Sequence, residues 1–208
     1  MALKILLPRL GLGAVYLLLA TPAARMALEA SMSAHMLVQI PLLAAVGIIA
    51  GRLLPQRCQA ALLATAGGAI PCIVLAAFAS TYWMLPRALD AALANPLAEL
   101  AKFISLPALV GLPLALAWPR LSVIGRGFIW TNFISMLAVL GWLYIAAPVR
   151  VCNSYLTNQQ TDTGWLMVGL AVLLFALWLG RLFVGGNPAL PESDAAQADG
   201  KDTQMNTA

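Results

Sequence analysis

The stretch "SAHMLVQIPLLAAVGIIAGRLL", residues 33–54, decides the fold class of this chain. It is apolar over nearly its whole length and carries one permanently charged side chain, Arg52, near its end. A helix needs about 20 predominantly apolar residues to cross a hydrocarbon layer of about 30 Å. Segments of the same character lie at residues 5–21, 58–81, 97–118, 124–147 and 163–184. The sequence therefore predicts an all-α fold, a polytopic membrane helix bundle with about six transmembrane helices.

The composition agrees with a membrane protein. Hydrophobic residues make up 62% of the chain and charged residues 10%, and the mean hydropathy is +0.87. The formal net charge is +4, but the basic residues are scattered singly between apolar segments. A nucleic-acid surface would need them clustered. We therefore expect the protein to contact the lipid bilayer and to bind no nucleic acid.

The chain divides by composition into two parts. Residues 1–184 hold the six apolar segments and form the predicted transmembrane helix bundle. Residues 185–208 are rich in Gly, Pro, Ala and acidic side chains and contain few large apolar ones. Because such a segment cannot bury a hydrophobic core, the sequence predicts a disordered cytoplasmic tail there.

The basic residues also predict the orientation. With the N-terminus in the cytoplasm, eight basic residues fall on the inner side and three on the outer side, which agrees with the positive-inside rule. The eight are Lys4, Arg9, Arg52, Arg57, Arg120, Arg126, Arg181 and Lys201, and the three are Arg25, Arg87 and Arg150. We expect a multi-pass protein of the cell inner membrane with both termini cytoplasmic.

The first apolar segment has two interpretations. "MALKILLPRLGLGAVYLLLATPAA" has the basic start, short apolar stretch and small-residue end of a signal peptide. The apolar stretch is interrupted by Pro8 and Arg9, which favours a retained helix. Cleavage would leave the later orientation unchanged.

Small and charged residues inside the segments predict helix packing. In the third segment, small side chains recur every four residues and predict a ridge for close helix approach; they are Ala60, Ala64, Gly68, Cys72, Ala76 and Ser80. Two charge pairs at i, i+3 spacing, Arg87 with Asp90 and Glu99 with Lys102, predict interfacial ion pairs. Lys102 lies inside the fourth segment, where its stem is expected to snorkel outward.

Soft metal ligands gather on the predicted outer side. His35, the one histidine of the chain, shares a helix side with Met32 and Met36 at the start of the second segment. Imidazole, thioether and thiolate are ligands that select Cu(I), although methionine is ordinarily a flexible core residue. The candidate ligands are His35, Met32, Met36, Met84, Met167 and Cys152.

Three short blocks carry a family resemblance. "SMSAHM" (residues 31–36) resembles the HMxxHM signature of the multi-spanning CtaG family of cytochrome c oxidase assembly proteins. "TYWMLPRALDAAL" and "LAELAKF" resemble its W..P..YDAAL…LEHxxF block, and "NQQTDTGWLMVG" resembles its DQxxxGxxMW block. The matching positions are Trp83, Pro86, Asp90, Glu99, Phe103, Gln160, Gly164 and Met167.

The departures concern the imidazole ligands. Ser31 and Leu100 stand where the family has histidines, and Gln159 stands where it has an aspartate. The chain also has six predicted spans where the family usually has seven. It resembles either a divergent member that uses methionine and one histidine, or a relative that kept the scaffold and lost the metal.

The resemblance implies a function in cytochrome c oxidase assembly. It implies an inner-membrane factor that helps copper delivery to, or maturation of, a haem–copper oxidase, with Cu(I) held transiently at the periplasmic face. A respiratory oxidase subunit or a periplasmic copper protein would be its partner, and Trp83, Asp90 and Glu99 would be further functional positions. The alternative is an accessory or interaction subunit of a membrane complex without metal, and a His/Met-ligated haem or a quinone-binding subunit stay open. The sequence contains no set of residues typical of a catalytic site, so it does not predict an enzyme.

Overall fold

A computed structural model describes residues 2–184, and in that part of the chain every regular element is a helix. The all-α prediction is therefore confirmed, whereas the predicted tail, residues 185–208, lies outside the described residues. The helices are α1 Ala2–Ala20, α2 Pro22–Glu29, α3 Met32–Leu53, α4 Gln56–Thr65, α5 Ala69–Met84, α6 Pro86–Ala94, α7 Pro96–Arg120, α8 Val123–Ala146 and α9 Thr157–Val184.

Four of these helices are long and apolar enough to cross a membrane by themselves, namely α3, α7, α8 and the Thr157–Arg181 part of α9. Two bent pairs bring the number to six if each pair is one span. The first pair joins Leu7–Ala20 to α2 at 64°, and the second joins α4 to α5 at 78°. Large apolar side chains are exposed along the spans, as lipid contact requires. The chain is a multi-pass helical membrane protein.

The bend between α4 and α5 corrects the prediction of one straight third span. Gly67 and Gly68 have φ of 80° and 106°, a backbone conformation that side chains with a Cβ rarely adopt. The row of small residues is therefore not a continuous ridge. A Cβ placed on Gly68 would meet nothing within 4 Å, so this glycine serves the bend and not a helix contact.

Glycines bring the helices close together at two other places. A Cβ on Gly47 of α3 would overlap the carbonyl oxygen of Pro107 in α7, and a Cβ on Gly111 of α7 would overlap that of Ala44. Gly141 of α8 and Gly164 of α9 face each other in the same way, with a Cβ 2.7–2.8 Å from the opposite carbonyl oxygen. Close backbone approach through small residues is a general means of helix association in membranes.

Both α3 and α7 contain a wider π-helical turn, at His35–Gln39 and at Leu106–Gly111. In each turn the last donor precedes a proline: the N–H of Ile40 bonds to His35 O before Pro41, and that of Leu112 bonds to Pro107 O before Pro113. Because a proline has no N–H, the ordinary bond one residue later cannot form. The π-turn closes the backbone with a five-residue bond just before that gap.

The chain divides after Leu173 into two compact units. All residues of the site described next belong to the first of them. The site lies where α2, α3 and α7 approach the loop formed by residues 147–156.

Candidate functional site

The most buried cation of the described residues is Lys102, whose side chain has no exposed surface. Its ammonium donates to three acceptors: Glu29 Oε1 at 2.8 Å, Gln39 Oε1 at 3.0 Å and His35 Nε2 at 3.1 Å. An ammonium has three donors, so all of them are used. The amide nitrogen of Gln39 also donates to Glu29 Oε1, at 3.0 Å, which closes a ring of polar groups.

The histidine is fully buried and both of its ring nitrogens have a partner. Because Lys102 only donates, Nε2 of His35 is the accepting nitrogen and Nδ1 carries the proton. Nδ1 lies 2.9 Å from the hydroxyl oxygen of Tyr155, which in turn donates to the backbone carbonyl of Glu29 at 3.0 Å. We call Glu29, His35, Gln39, Lys102 and Tyr155 the polar cluster.

Local sequence signals place the cluster residues. Glu29 ends α2, and Ser31 caps the start of α3, where its hydroxyl accepts from Ala34 N at 3.2 Å. His35 and Gln39, four residues apart in the π-turn, then lie on one side of the helix and reach the same ammonium. Four separate segments therefore meet at one charged pair inside the protein.

A second ion pair lies next to the cluster and corrects the local pairing predicted from the sequence. Glu99 pairs with Arg25 of α2 and not with Lys102, which pairs with Glu29. Lys102 consequently does not snorkel to the surface. Among the described residues, the buried side-chain atoms without a hydrogen-bond partner are Arg25 Nε and Glu99 Oε1. Both atoms belong to the residues of this second ion pair.

The loop of residues 147–156 is fixed by polar side chains from neighbouring helices. The carboxylate of Asp90 accepts from the backbone N–H groups of Asn153 at 2.8 Å and Ser154 at 3.0 Å. The predicted partner of Asp90, Arg87, takes no part in this. Gln160 accepts from Val151 N at 2.8 Å and donates to Tyr144 O at 3.2 Å. Asp90 and Gln160 thus hold the loop in the position that places Tyr155 within hydrogen-bond distance of His35.

The five sulfur residues predicted as copper ligands are all buried. Met32, Met36, Met167 and Cys152 are fully enclosed and Met84 is 3% exposed. Burial, with a smaller contribution from the Asp90 carboxylate, raises the pKa of the Cys152 thiol to about 12. The thiolate that would bind a metal is therefore scarce at neutral pH. Trp83, another candidate from the resemblance, is buried and donates to Ser105 Oγ at 2.7 Å.

His35 does not fit a copper ligand in this arrangement. A metal would need a free ring nitrogen, yet one nitrogen faces Tyr155 and the other faces an ammonium 3.1 Å away. A cation at Nε2 would also be repelled by Lys102. The predicted copper site, formed by His35 and the five sulfur residues, stays a prediction. Within residues 2–184, no three His, Cys, Asp or Glu side chains lie close enough to share an ion.

Of the polar cluster, only His35 was predicted as a site residue, and Lys102 was predicted to pair with Glu99. Glu29, Gln39 and Lys102 are polar side chains within or beside apolar segments, and that position alone marks them as candidates for a mutual contact. Tyr155 had no such signal, because it lies in a polar loop 120 residues from His35.

Comparison with known proteins gives no relative for this site. No protein-family model, curated protein or solved structure matches the chain.

The buried thiol leads to a labelling prediction. In detergent, a variant that keeps only Cys152 should react with a maleimide at pH 7 far more slowly than one that keeps only the exposed Cys58, because the Cys152 thiol is enclosed and burial raises its pKa. The rate should rise with pH towards 12. Unfolding in SDS should remove the difference, and equal native rates would show that the loop is open.

Proposed function

We propose that this chain is an accessory protein of a membrane respiratory complex that acts through protein contacts and does not use its histidine to bind metal. The observation that supports the proposal is the pair of hydrogen bonds at His35, which occupy both ring nitrogens. In this view the polar cluster is a structural joint. It fixes α2, α3, α7 and the 147–156 loop in one arrangement at one end of the bundle.

A buried cluster of charged and polar groups suits a protein that must hold a contact surface in one position. A buried pair is costly to form, so it stabilises little against an apolar core, but it specifies one geometry because a shifted helix would leave a charge unpaired. Here the geometry determines where the 147–156 loop lies, through Tyr155 and Asp90. We infer that this loop and the adjacent helix ends form the contact surface for a partner.

The resemblance to oxidase assembly proteins suggests the partner. The blocks that carry it include Asp90 and Gln160, the two side chains that hold the loop. We propose maturation of a haem–copper oxidase as the process in which the chain takes part. The cell inner membrane, with both termini cytoplasmic, is the proposed location.

Copper delivery by sulfur ligands is the second candidate. The burial of Met32, Met36, Met84, Met167 and Cys152 favours it, because soft ligands screened from water retain Cu(I). Full enclosure also works against it, since a carrier must exchange its ion with a partner. The two candidates differ in a single measurable quantity, the copper bound by each chain.

Copper titration under reducing conditions separates the candidates. In competition with a Cu(I) chelator, the purified full-length protein should hold no stoichiometric copper, and deletion of the gene should still impair oxidase maturation in the native host. A variant with Asp90→Ala should fail to restore maturation, because its loop is released, while Arg87→Ala should restore it. One tightly held copper per chain, lost on Met32→Leu or Cys152→Ser, would replace this proposal with copper delivery.

Orientation is tested with a single cysteine. Val149, in the loop next to the cluster, is 67% exposed and is predicted to face the periplasm. In an otherwise cysteine-free chain, Val149→Cys should react with an impermeant maleimide in intact cells, whereas a chain that keeps only Cys58 should not. Labelling of Cys58 and protection of Val149→Cys would reverse the orientation.

A further inference from the structure

A cleft of about 370 Å³ lies between α3, α5, α7 and α8, and none of its lining residues belongs to the polar cluster. Its walls are almost entirely apolar, and it is partly open. Along α7 it extends from Leu106 to Trp118, which is about 18 Å at 1.5 Å per residue. Ligand pockets in proteins have volumes of roughly 300–1,000 Å³ and mostly apolar walls with a few polar groups. The cleft has these properties.

The dimensions decide what kind of molecule fits. A volume of about 370 Å³ lies at the lower end of the range for small-molecule pockets, and the cleft is about 18 Å long. These dimensions suit a slender small molecule with one apolar chain. Because the walls belong to membrane-spanning helices, such a molecule would enter from the bilayer.

One polar side chain faces this cleft far from the membrane surface. Asn132 lines it and lies nine residues into α8, about 13.5 Å from the start of a helix about 36 Å long. Its amide is half-buried and makes no hydrogen bond to any residue that the structure describes. The other polar lining side chain near it, Ser80, already donates to Ala77 O at 2.9 Å. A polar group at this depth without a partner marks a functional position.

The depth of Asn132 selects the head group of the occupant. Phospholipid esters and charged heads stay at the surface of the hydrocarbon layer, which is about 30 Å thick, so they do not reach a group near its middle. A neutral carbonyl does enter hydrocarbon, and it would accept from the Asn132 amide nitrogen. If that carbonyl belongs to a ring that also carries a hydroxyl, the hydroxyl would donate to the amide oxygen of Asn132.

We propose that the cleft between α3, α5, α7 and α8 binds a slender, neutral molecule of the bilayer with a carbonyl head and an apolar chain, the chemistry of a lipid-soluble quinone, and that Asn132 binds its head. The site is independent of the polar cluster and of the function proposed above. Trp118 and Trp130 line the same cleft and provide an optical signal for binding.

The test is a titration of the full-length protein in detergent with a decyl-substituted benzoquinone, followed by quenching of tryptophan fluorescence. The wild type should show saturable quenching. Asn132→Leu, which removes the polar contact, should weaken binding by roughly 3- to 10-fold, the usual contribution of one hydrogen bond. Ala45→Phe, which fills the cleft from α3, should abolish saturation.

Three controls make the result decisive. Thr131→Leu, the same kind of change on the neighbouring exposed residue outside the cleft, should bind like the wild type. Decylbenzene, which has the chain without the carbonyls, should not displace the quinone. Melting curves show whether each variant is folded. Quenching that rises linearly without saturation, or equal affinity in wild type and Asn132→Leu, would overturn the proposal.

Discussion

Replacing Lys102 with methionine should lower the free energy of unfolding by about 3–5 kcal/mol, the usual cost of removing one partner from a buried ion pair. The change leaves the carboxylate of Glu29 inside the protein without its ammonium, and it removes the donor to His35 and Gln39. The melting temperature in detergent should fall by roughly 10 °C for a chain of this size.

Two further variants separate the ion pair from a general effect of charge. Arg57→Met removes an exposed cation of α4 and should change the stability by less than about 0.5 kcal/mol. The double variant Glu29→Gln with Lys102→Met removes both charges, so it should lose less than the sum of the two single losses. Additive losses would mean that the two side chains do not interact.

Gly111→Ala should destabilise the protein by about 3 kcal/mol or more, since the new methyl group overlaps the backbone of α3. Its Cβ would lie 2.6 Å from Gly47 Cα and 2.7 Å from Ile48 N, and backbone atoms cannot move away as a flexible side chain would. The two helices would have to separate at their closest contact. A chemical or thermal melt in detergent measures the loss.

Gly169→Ala is the matched control. Gly169 lies inside α9, and a Cβ there would meet nothing within 4 Å. Alanine has a higher helix propensity than glycine, so this variant should be stabilised by about 0.5–1 kcal/mol or left unchanged. If Gly111→Ala were as stable as Gly169→Ala, the close crossing of α3 and α7 would be wrong.

Hydropathy was sufficient for the helical type of the fold and for the spans that are single helices. Apolar length depends only on composition within a window, and the windows around residues 33–54, 97–118 and 124–147 correspond to α3, α7 and α8. Hydropathy does not report backbone conformation. The Gly-Gly pair at residues 67 and 68 is visible in the sequence, but it leaves the apolar window intact. The break arises from the positive φ values of these two glycines, which hydropathy does not predict.

The partners of the charged side chains could not be derived from local spacing. Glu99 and Lys102 are three residues apart, and on an isolated helix they would pair. In the folded protein Lys102 is enclosed, and its partner Glu29 lies 73 residues away on α2. Which helix packs against α7 is determined by shape, through contacts such as Gly47 with Pro107, and a single sequence does not contain that information in readable form.

The candidate site was found only in part. His35 lies near the start of α3, as its place in the sequence predicted, and its sequence neighbours Met32 and Met36 are buried. The chemistry of the ring nitrogens depends on Lys102 and Tyr155, which come from other segments of the chain. Residue type suggested a metal ligand, whereas the hydrogen-bond partners favour a structural imidazole.

Nitrogen-15 spectroscopy of the single histidine tests the central claim most directly. Because the chain contains one histidine, labelling of that amino acid in untagged protein gives two ring-nitrogen signals, both from His35. We predict a neutral ring protonated at Nδ1, an accepting Nε2, and no change in either signal when Cu(I) is added. A ring protonated at Nε2, or a signal that shifts with added Cu(I), would contradict this prediction.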